Sequence, residues 1–274
     1  MSDGSALDEI VAGVREDLEE RRRALHVEHL ELLAAEAPRP PSFGASLRRG
    51  EHPRVIAELK RASPSRGPIA PGADAAKVAI SYANAGAAAI SVLTERRRFG
   101  GSLEDLARAA TALELRAPIL RKDFIVDRYQ LLEARAAGAS AALLIAALLE
   151  VDPLGELISE AKAIGVETLV EVHDAKDLAR ALEAGATIIG VNNRDLRTLE
   201  VTLETSRRLG PRIPAGCIRV AESGIKSRAE IDELAALGFD AFLVGERLMS
   251  ENDPGAALAR LMGSTGTAPG DGKQ

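Results

Sequence analysis

Short apolar runs alternate with amphipathic segments through most of the chain. Eight of these runs are candidate β-strands: Val55–Glu58, Ala88–Leu93, Ala117–Arg121, Ala141–Ile145, Glu167–Glu171, Thr187–Val191, Cys217–Ala221 and Ala241–Val244. Six segments between them have helical periodicity: Ala75–Ala85, Leu103–Leu113, Arg128–Ala137, Leu154–Ile164, Ala175–Glu183 and Ser227–Leu237. Strands that alternate with helices at short, regular intervals predict parallel βαβ units. Eight units favour an α/β fold of the closed (β/α)8 TIM-barrel type; an open doubly wound sheet is the alternative, because periodicity does not show closure.

Both ends of the chain depart from this alternation. Residues 6–36 combine dense charge with helical periodicity, whereas residues 37–54 contain prolines through which a helix cannot continue. The last residues are rich in Gly, Ser, Thr and Pro, which is typical of a disordered segment. We therefore predict a helical N-terminal extension at residues 1–50, a catalytic barrel at residues 51–262 and a disordered tail at residues 263–274.

Composition and charge limit the classes of function. With 274 residues, of which 46% are hydrophobic and only 3% aromatic, the chain can bury a large core of small and branched side chains. A formal charge of −6 argues against a nucleic-acid partner, because no net field attracts a phosphate backbone. Cys217 is the single cysteine, which excludes an intramolecular disulfide. The chain begins without the residue order of a signal peptide, and its longest apolar stretch, residues 139–149, is too short to span a bilayer. We expect a cytoplasmic protein with no membrane partner.

Polar side chains follow seven of the eight candidate strands. The carboxyl ends of barrel strands meet at one mouth, where barrel enzymes carry their chemistry. A single lysine or glutamate at such a position is more often a solvated edge residue than a catalyst. Several charged groups gathered at one mouth are costly unless they serve a function, so their convergence favours an active site. The main candidates are Glu58, Lys60, Lys122, Glu171, Asn192 and Glu222.

Two glycines point to a phosphate site beside these candidates. Gly224 follows Ser223 after the seventh candidate strand, and Gly245 follows the eighth. Barrels commonly bind phosphate through backbone N–H groups in these two loops, and glycine lets the backbone approach the oxygens. A tight turn explains either glycine alone. Both together favour a sugar-phosphate substrate.

Eight motifs resemble those of a known family. The segment IAELKRASPS at residues 56–65 closely resembles the first-strand signature of the indole-3-glycerol phosphate synthases, which close the indole ring in tryptophan biosynthesis. The likeness continues through SVLTE at 91–95, FGGS at 99–102, LRKDFI at 120–125, LVEVH at 169–173, GVNNRDL at 190–196, AESGI at 221–225 and FLVGE at 242–246. It extends from about residue 5 to about residue 260, including the helical extension.

The resemblance implies a specific reaction. The substrate would be 1-(2-carboxyphenylamino)-1-deoxyribulose 5-phosphate, and the products indole-3-glycerol phosphate, carbon dioxide and water, without a metal or other cofactor. In this interpretation Lys122 protonates the ketone oxygen during ring closure. Lys60 binds sugar or phosphate oxygens and is a candidate acid for dehydration. Glu171 is the general acid/base and Glu58 a second candidate base; the residues do not decide which carboxylate removes the last proton.

The same resemblance assigns binding roles. Asn192 and Glu222 would orient the reacting groups. The expected substrate contacts are Ser63, Pro64, Ser91, Phe99, Phe124, Leu143, Arg194 and Ser223, and the expected phosphate contacts are Lys60, Gly224, Gly245 and Glu246. Among them, the guanidinium fork of Arg194 matches the substrate carboxylate, and the apolar slot for the anthranilate ring would be formed by Phe99, Phe124, Pro64 and Leu143. The orientation of Glu246 stays open, because a carboxylate directed at the site would repel a phosphate dianion.

Two other functions are alternatives. A phosphoribosyl isomerase barrel shares the phosphate site, but we expect an Asp or Cys acid/base pair at its mouth in place of these lysines and glutamates. A non-catalytic sugar-phosphate-binding barrel would lack the mouth lysines. The run Arg96–Arg98 is expected either to steer an anionic substrate or to be a solvated loop. We expect a monomer or a weak homo-oligomer.

Overall fold

Eight parallel strands form a closed barrel in the computed structural model, which describes residues 6–50, 52–195 and 198–263. The strands are β1 (Val55–Leu59), β2 (Ala89–Leu93), β3 (Ile119–Lys122), β4 (Ala141–Ile145), β5 (Glu167–Val172), β6 (Ile188–Asn192), β7 (Ile218–Glu222) and β8 (Ala241–Val244). Each strand pairs with its neighbours in chain order, and β8 closes the barrel against β1, with Val55 opposite Phe242. The eight predicted strands, and their closure into a TIM barrel, are confirmed.

Helices precede the barrel and surround it. They are α1 (Ala6–Ala24), α2 (Val27–Glu36), α3 (Phe43–Ser46), α4 (Ala75–Asn84), α5 (Leu103–Leu113), α6 (Arg128–Ala136), α7 (Val151–Ala163), α8 (Ala175–Glu183), α9 (Glu204–Leu209), α10 (Arg228–Ala236), α11 (Glu246–Met249) and α12 (Pro254–Met262). Two short 3₁₀ helices lie at Ala146–Leu148 and Gly210–Arg212. The six helices predicted between strands are confirmed.

Side-chain caps fix where the outer helices begin. The residue before α5 is Ser102, whose hydroxyl accepts a hydrogen bond from the backbone N–H of Asp105, and Asp174 receives two such bonds at the start of α8. Ser227 and Glu230 form a reciprocal capping box at the start of α10. These bonds satisfy N–H groups that have no partner within the helix, so the local sequence sets the point at which each loop ends.

Two hydrophobic layers lie on either side of the barrel wall. The inner layer fills the barrel with residues such as Ile56, Leu169 and Leu243. The outer layer packs the opposite faces of the strands, for example at Val92 and Val170, against the helices. Because both faces of each strand are covered, the strands are continuous apolar runs rather than alternating ones.

The short helix α3 closes the amino-terminal end of the barrel. Phe43 is fully buried within the inner layer. Glu167, at the start of β5, accepts hydrogen bonds from the backbone N–H groups of Phe43 (2.7 Å) and Gly44 (2.8 Å) and from the hydroxyl of Ser42 (2.8 Å). This carboxylate therefore satisfies the first N–H groups of α3 and anchors the helix under the barrel.

Helix α1 lies at the opposite, carboxyl-terminal end. Its apolar residues Ile10 and Val14 pack with the inner layer near Phe99. Two arginines of the β2–α5 loop pair with its acidic face: Arg97 lies 2.6 Å from Asp17, and Arg98 lies 2.9 Å from Glu9. The extension thus covers part of the barrel mouth.

Several features differ from the sequence-based expectations, and most of the predicted tail lies outside the described residues. The helical stretch predicted for residues 6–36 is divided into α1 and α2, and α3 lies inside the proline-containing segment 37–54. A small hairpin, Ala62–Ser63 paired with Gly67–Pro68, follows β1 and was not predicted. Of the predicted disordered tail, all but Gly263 lies outside the described residues.

None of the helices among the described residues is long and apolar enough to cross a membrane.

Candidate active site

Six polar side chains from five strands lie at the carboxyl-terminal mouth of the barrel. They are Glu58 and Lys60 from the end of β1, Lys122 from β3, Glu171 from β5, Asn192 from β6 and Glu222 from β7. The three carboxylates are almost completely buried. Side chains alternate along a strand, so these residues point into the barrel while their sequence neighbours point out.

Lys122 is the central cation of this group. Its Nζ lies 3.0 Å from Oε2 of Glu171 and 3.4 Å from Oε2 of Glu222. Burial alone would lower the pKa of Lys122, but the carboxylates of Glu171, Glu222 and Glu58 outweigh it and raise the pKa. The lysine therefore rests as an ammonium group with a proton to donate.

The two carboxyl groups beside Lys122 have pKa values shifted in opposite directions. Burial alone would raise the pKa of Glu171, but the cations of Lys122 and His173 lower it. For Glu222, burial raises the pKa and the negative charges of Glu171 and Glu58 add to it, against the effect of Lys122. One carboxyl is thus held ionised beside another that retains a proton more readily, an arrangement suited to acid/base chemistry.

Glycines on neighbouring strands make room for two of these carboxylates. A Cβ atom at Gly190 of β6 would collide with Oε1 of Glu222, and one at Gly245 would lie 2.5 Å from Oε1 of Glu58. Both carboxylates occupy space that any other residue would fill. Sequence reasoning missed Gly190, because the side chain that needs the space is far away in the chain.

A cavity of about 540 Å³ opens beside the carboxylates, between the loops that follow β1, β6, β7 and β8. Its lining includes the predicted residues Glu58, Lys60, Arg194, Ser223, Gly224, Gly245 and Glu246. Sequence reasoning missed three cations in this lining: Arg66, Lys226 and Arg247. Of the predicted residues, Lys60 pairs with Glu58 at 2.7 Å between Nζ and Oε1. Because cationic side chains outnumber carboxylates in the lining, the cavity favours an anionic ligand.

Glu246 lies inside this cavity, with its charge balanced. Its Oε1 is 3.3 Å from Nε of Arg66, and its Oε2 is 3.6 Å from Nη2 of Arg194. The side chain therefore faces two arginines rather than pointing away from the site. Arg194 is further held by Ser65, whose hydroxyl accepts a hydrogen bond of 3.2 Å from Nη1.

The backbone after β7 has a conformation that needs glycine. Ser223 has φ +64° and Gly224 has φ +81°, so two successive residues are left-handed. A Cβ at Gly224 would also lie 2.6 Å from Cγ1 of Val201. The side-chain amide of Asn193 donates to the Ser223 carbonyl at 3.2 Å and steadies the turn.

Two predicted serines are buried. Ser63 lies in the hairpin after β1, where its hydroxyl accepts a hydrogen bond of 3.2 Å from the backbone N–H of Arg66. Ser91 is adjacent to Glu58 in the pairing of β1 with β2, and its hydroxyl has no hydrogen-bond partner among the described residues. A buried hydroxyl without a partner is a candidate ligand contact.

An apolar cluster lies on the other side of the mouth. The rings of Phe99 and Phe124 are 6.2 Å apart between centroids, and Leu143 belongs to the same cluster. Ile10 and Val14 of α1 join them.

Pro64, assigned to the same slot from the sequence, is exposed in the hairpin and is not part of this cluster.

The run Arg96–Arg98 lies in the β2–α5 loop and is exposed to solvent. Glu95 accepts hydrogen bonds from the backbone N–H groups of Arg97, Arg98 and Phe99 at 2.7–3.0 Å, which fixes the loop. The side chains of Arg97 and Arg98 pair with acidic residues of α1. These two side chains are exposed to solvent while they pair with α1.

Comparison with known proteins places the chain in a family. The family model described as indole-3-glycerol phosphate synthase matches residues 7–261. A relative named indole-3-glycerol phosphate synthase 1, from Streptomyces coelicolor, is 50% identical over 258 residues, which cover 94% of this chain and 95% of the relative. An indole-3-glycerol phosphate synthase from Mycolicibacterium vanbaalenii is 47% identical, over 96% of this chain and 95% of the relative.

Solved structures share the fold at low sequence identity. The 3-hexulose-6-phosphate synthase from Salmonella typhimurium has a TM-score of 0.60 at 17% identity, over 77% of this chain and 98% of that one. This likeness concerns the barrel alone. The family match over nearly the whole length and the two relatives near 50% identity show more: the chain belongs to the indole-3-glycerol phosphate synthase family.

Proposed function

We propose that the chain is a carboxy-lyase of tryptophan biosynthesis, with the activity that names its family. It would convert 1-(2-carboxyphenylamino)-1-deoxyribulose 5-phosphate to indole-3-glycerol phosphate, carbon dioxide and water. The observation that carries the proposal is the buried ammonium group of Lys122, held between Glu171 and Glu222 at the same barrel mouth as a cation-rich cavity. Such a site can protonate an oxygen and remove a proton within one substrate.

Lys122 is the acid for ring closure in this proposal. As the ring carbon that bears the carboxylate attacks the ketone, negative charge develops on the ketone oxygen. The Lys122 ammonium stabilises that charge and transfers a proton to it. The carboxylate then leaves as carbon dioxide, and the electron pair of the broken bond returns to the ring. The ionised Glu171, 3.0 Å from Nζ, favours the ammonium form to which the lysine must return after this step.

Dehydration removes the hydroxyl group formed in the first step. It needs an acid at the leaving oxygen and a base at the carbon that loses its proton. Lys60 and Glu58, 2.7 Å apart, form a second ammonium–carboxylate pair on β1 that faces the cavity. We assign this pair to dehydration, with Glu171 as the alternative base. Asn192 and Glu222 orient the reacting groups.

The two ends of the substrate occupy opposite sides of the mouth in this proposal. The phosphate lies in the cavity beside Gly224 and Gly245. Positive charge there comes from Lys60, Arg66, Lys226 and Arg247. The anthranilate ring lies against Phe99, Phe124 and Leu143. Among the proposed polar contacts, Ser223 lines the cavity, Ser63 lies in the hairpin after β1, and Ser91 is adjacent to Glu58. A substrate anion would displace Glu246 from its arginine partners.

A direct assay tests the activity. The purified protein is incubated with the carboxyphenylamino-deoxyribulose phosphate, and indole fluorescence is followed together with release of carbon dioxide. We expect both signals to rise in equal amounts. Fluorescence that stays at the level of a protein-free control would exclude the proposed reaction. If the substrate is isomerised in that experiment, the result favours the isomerase alternative.

Replacing Arg194 by alanine should mainly weaken substrate binding. A charge-assisted hydrogen bond contributes about 1.5–3 kcal/mol, so we expect KM to rise about tenfold or more while kcat changes little. Steady-state kinetics on the Arg194→Ala variant measure both constants. The exposed Arg208 of α9 supplies the matched control, Arg208→Ala, which should leave KM as it is. An unchanged KM in Arg194→Ala would remove this residue from the substrate site.

The division of the chain into an extension at 1–50, a barrel at 51–262 and a tail at 263–274 belongs to the same proposal. So do the cytoplasmic location and the monomeric or weakly oligomeric state. Gel filtration with light scattering measures the oligomeric state.

A further inference from the structure

His173 lies directly beyond β5, two residues after Glu171, and the proposed chemistry does not use it. Its Nε2 is 3.2 Å from Oε1 of Glu171, and its Nδ1 is 3.5 Å from Oδ2 of Asp177 in the first turn of α8. Only 15% of the imidazole side chain is exposed. The ring therefore lies at ion-pair distance from two carboxylates, although neither ring nitrogen makes a hydrogen bond to a described residue.

Glu171 is held at both of its carboxylate oxygens as a result. Lys122 contacts Oε2 at 3.0 Å, and His173 contacts Oε1 at 3.2 Å. With a cation at each oxygen, the carboxylate plane has little freedom to rotate. The orientation of the Glu171 carboxylate therefore depends on the His173 cation as well as on Lys122.

Asp177 is itself held in place. Its Oδ2 accepts a hydrogen bond of 3.1 Å from the backbone N–H of His173, and its Oδ1 lies 3.6 Å from Nη1 of Arg180. Arg180 in turn donates to the carbonyl of Ala146 at 2.6 Å and lies 3.5 Å from Glu150. The position of His173 is thus fixed from α8 and from the loop after β4, outside the mouth.

We propose that His173 and Asp177 are positioning residues, which form a carboxylate–imidazolium–carboxylate triad with Glu171 and hold its carboxylate ionised and aligned with Lys122. His173 is paired with Asp177 of α8, outside the mouth, so we assign the triad an action through Glu171 rather than on the substrate. The inference rests on the proposed function for its kinetic test, but the triad itself is a property of the resting protein.

The charges around the triad determine the sign of its effect. Burial alone would lower the pKa of His173, but Asp177 and Glu171 raise it to about 10, so the ring is an imidazolium at neutral pH. Glu171 is faced by Lys122 from β3, Asn192 from β6 and Glu222 from β7, with Glu58 across the barrel on β1. Removing the His173 cation takes away one of the two cations that favour the carboxylate, and leaves Lys122 and the hydrogen bond from Asn192. The pKa of Glu171 must then rise, and protonation must begin at higher pH.

Two substitutions at position 173 separate charge from shape. His173→Gln keeps a hydrogen-bond donor but loses the charge, whereas His173→Lys restores a cation. For His173→Gln we expect kcat at pH 7 to fall about tenfold, with KM within about twofold and the acid limb of kcat moved up by about one pH unit. For His173→Lys we expect the acid limb to return toward its original position. His29→Gln, at an exposed position on α2, is the matched control and should change none of these values.

The outcomes distinguish positioning from mere packing. One contrary outcome is that His173→Gln and His173→Lys lose kcat equally, with the acid limb of kcat unshifted and the melting temperature lowered. That result would show a structural role and overturn the proposal. Unchanged kcat and an unchanged pH profile in His173→Gln would overturn it as well.

An NMR titration of the histidine ring tests the triad without any activity. We expect His173 to stay protonated through pH 8 and its pKa to fall in Asp177→Asn, because the variant removes an anion. A His173 that titrates near the ordinary pKa of about 6.5 in the unmodified protein would refute the triad. If the unmodified protein makes no indole product but His173 titrates high, the proposed function fails and the triad stands.

Discussion

Replacing Lys122 by methionine is expected to lower kcat by about a thousandfold or more. The variant removes the ammonium group that lies between Glu171 and Glu222, and with it the proton for the ketone oxygen. General acid catalysis contributes about 10²–10⁴-fold. Binding of a substrate analogue should change by less than about tenfold, because the phosphate and ring contacts lie elsewhere in the mouth. Steady-state kinetics measures kcat. Calorimetric titration measures binding of a substrate analogue whose ketone has been reduced to an alcohol, so that ring closure cannot occur.

Two further variants show whether the proton or the charge of Lys122 matters. Lys122→Arg keeps a cation beside the carboxylates but releases its proton much less readily, so it should remain nearly inactive if Lys122 is the acid. Lys77→Met makes the same change at an exposed position on α4 and should leave kcat unchanged. Substantial turnover by Lys122→Met would refute the acid assignment. High activity of Lys122→Arg alone would assign the lysine to charge stabilisation instead.

Much of the barrel could be predicted from the sequence, because its elements are determined locally. A strand such as Ala141–Ile145 is buried on both faces and is therefore a continuous apolar run. The start of α5 at Ser102 is likewise set by a cap within three residues. One element that escaped prediction depends on a distant partner. Helix α3 needs the carboxylate of Glu167, which is more than 120 residues away in the chain.

The candidate site was predictable to a similar extent. Strand ends identify Lys122 and Glu171, because parallel strands bring their carboxyl ends to one mouth. Periodicity alone does not tell which neighbour points inward, and Arg121 next to Lys122 points outward. The pairing of Glu246 with Arg66, and the contact of His173 with Asp177, depend on loop conformations that no local pattern specifies.

Arg121→Met is expected to cost about 3–5 kcal/mol of unfolding free energy, although this residue belongs to the same motif as Lys122. Its guanidinium is almost completely buried between the barrel and α6. Nη2 lies 2.9 Å from Asp123, Nη1 lies 3.1 Å from Glu133, and Nη1 also donates to the carbonyl of Gln130 at 2.6 Å. Removing the cation leaves Asp123 without its arginine partner and Glu133 with Arg21 alone.

The loss should lower the melting temperature by roughly 10 °C, measured by circular dichroism, together with urea unfolding at 25 °C. Arg39→Met makes the same change at an exposed position and should alter stability by less than about 0.5 kcal/mol. In the double variant Arg121→Met/Asp123→Asn the unpaired charge is gone, so part of the stability should return, and the two effects should not add. A stability loss in Arg121→Met as small as in Arg39→Met would mean that the buried pairs contribute nothing net. In that case Arg121, unlike its neighbour Lys122, would have no measurable role, because its contacts to Gln130 and Glu133 would not stabilise the packing of α6 on the barrel.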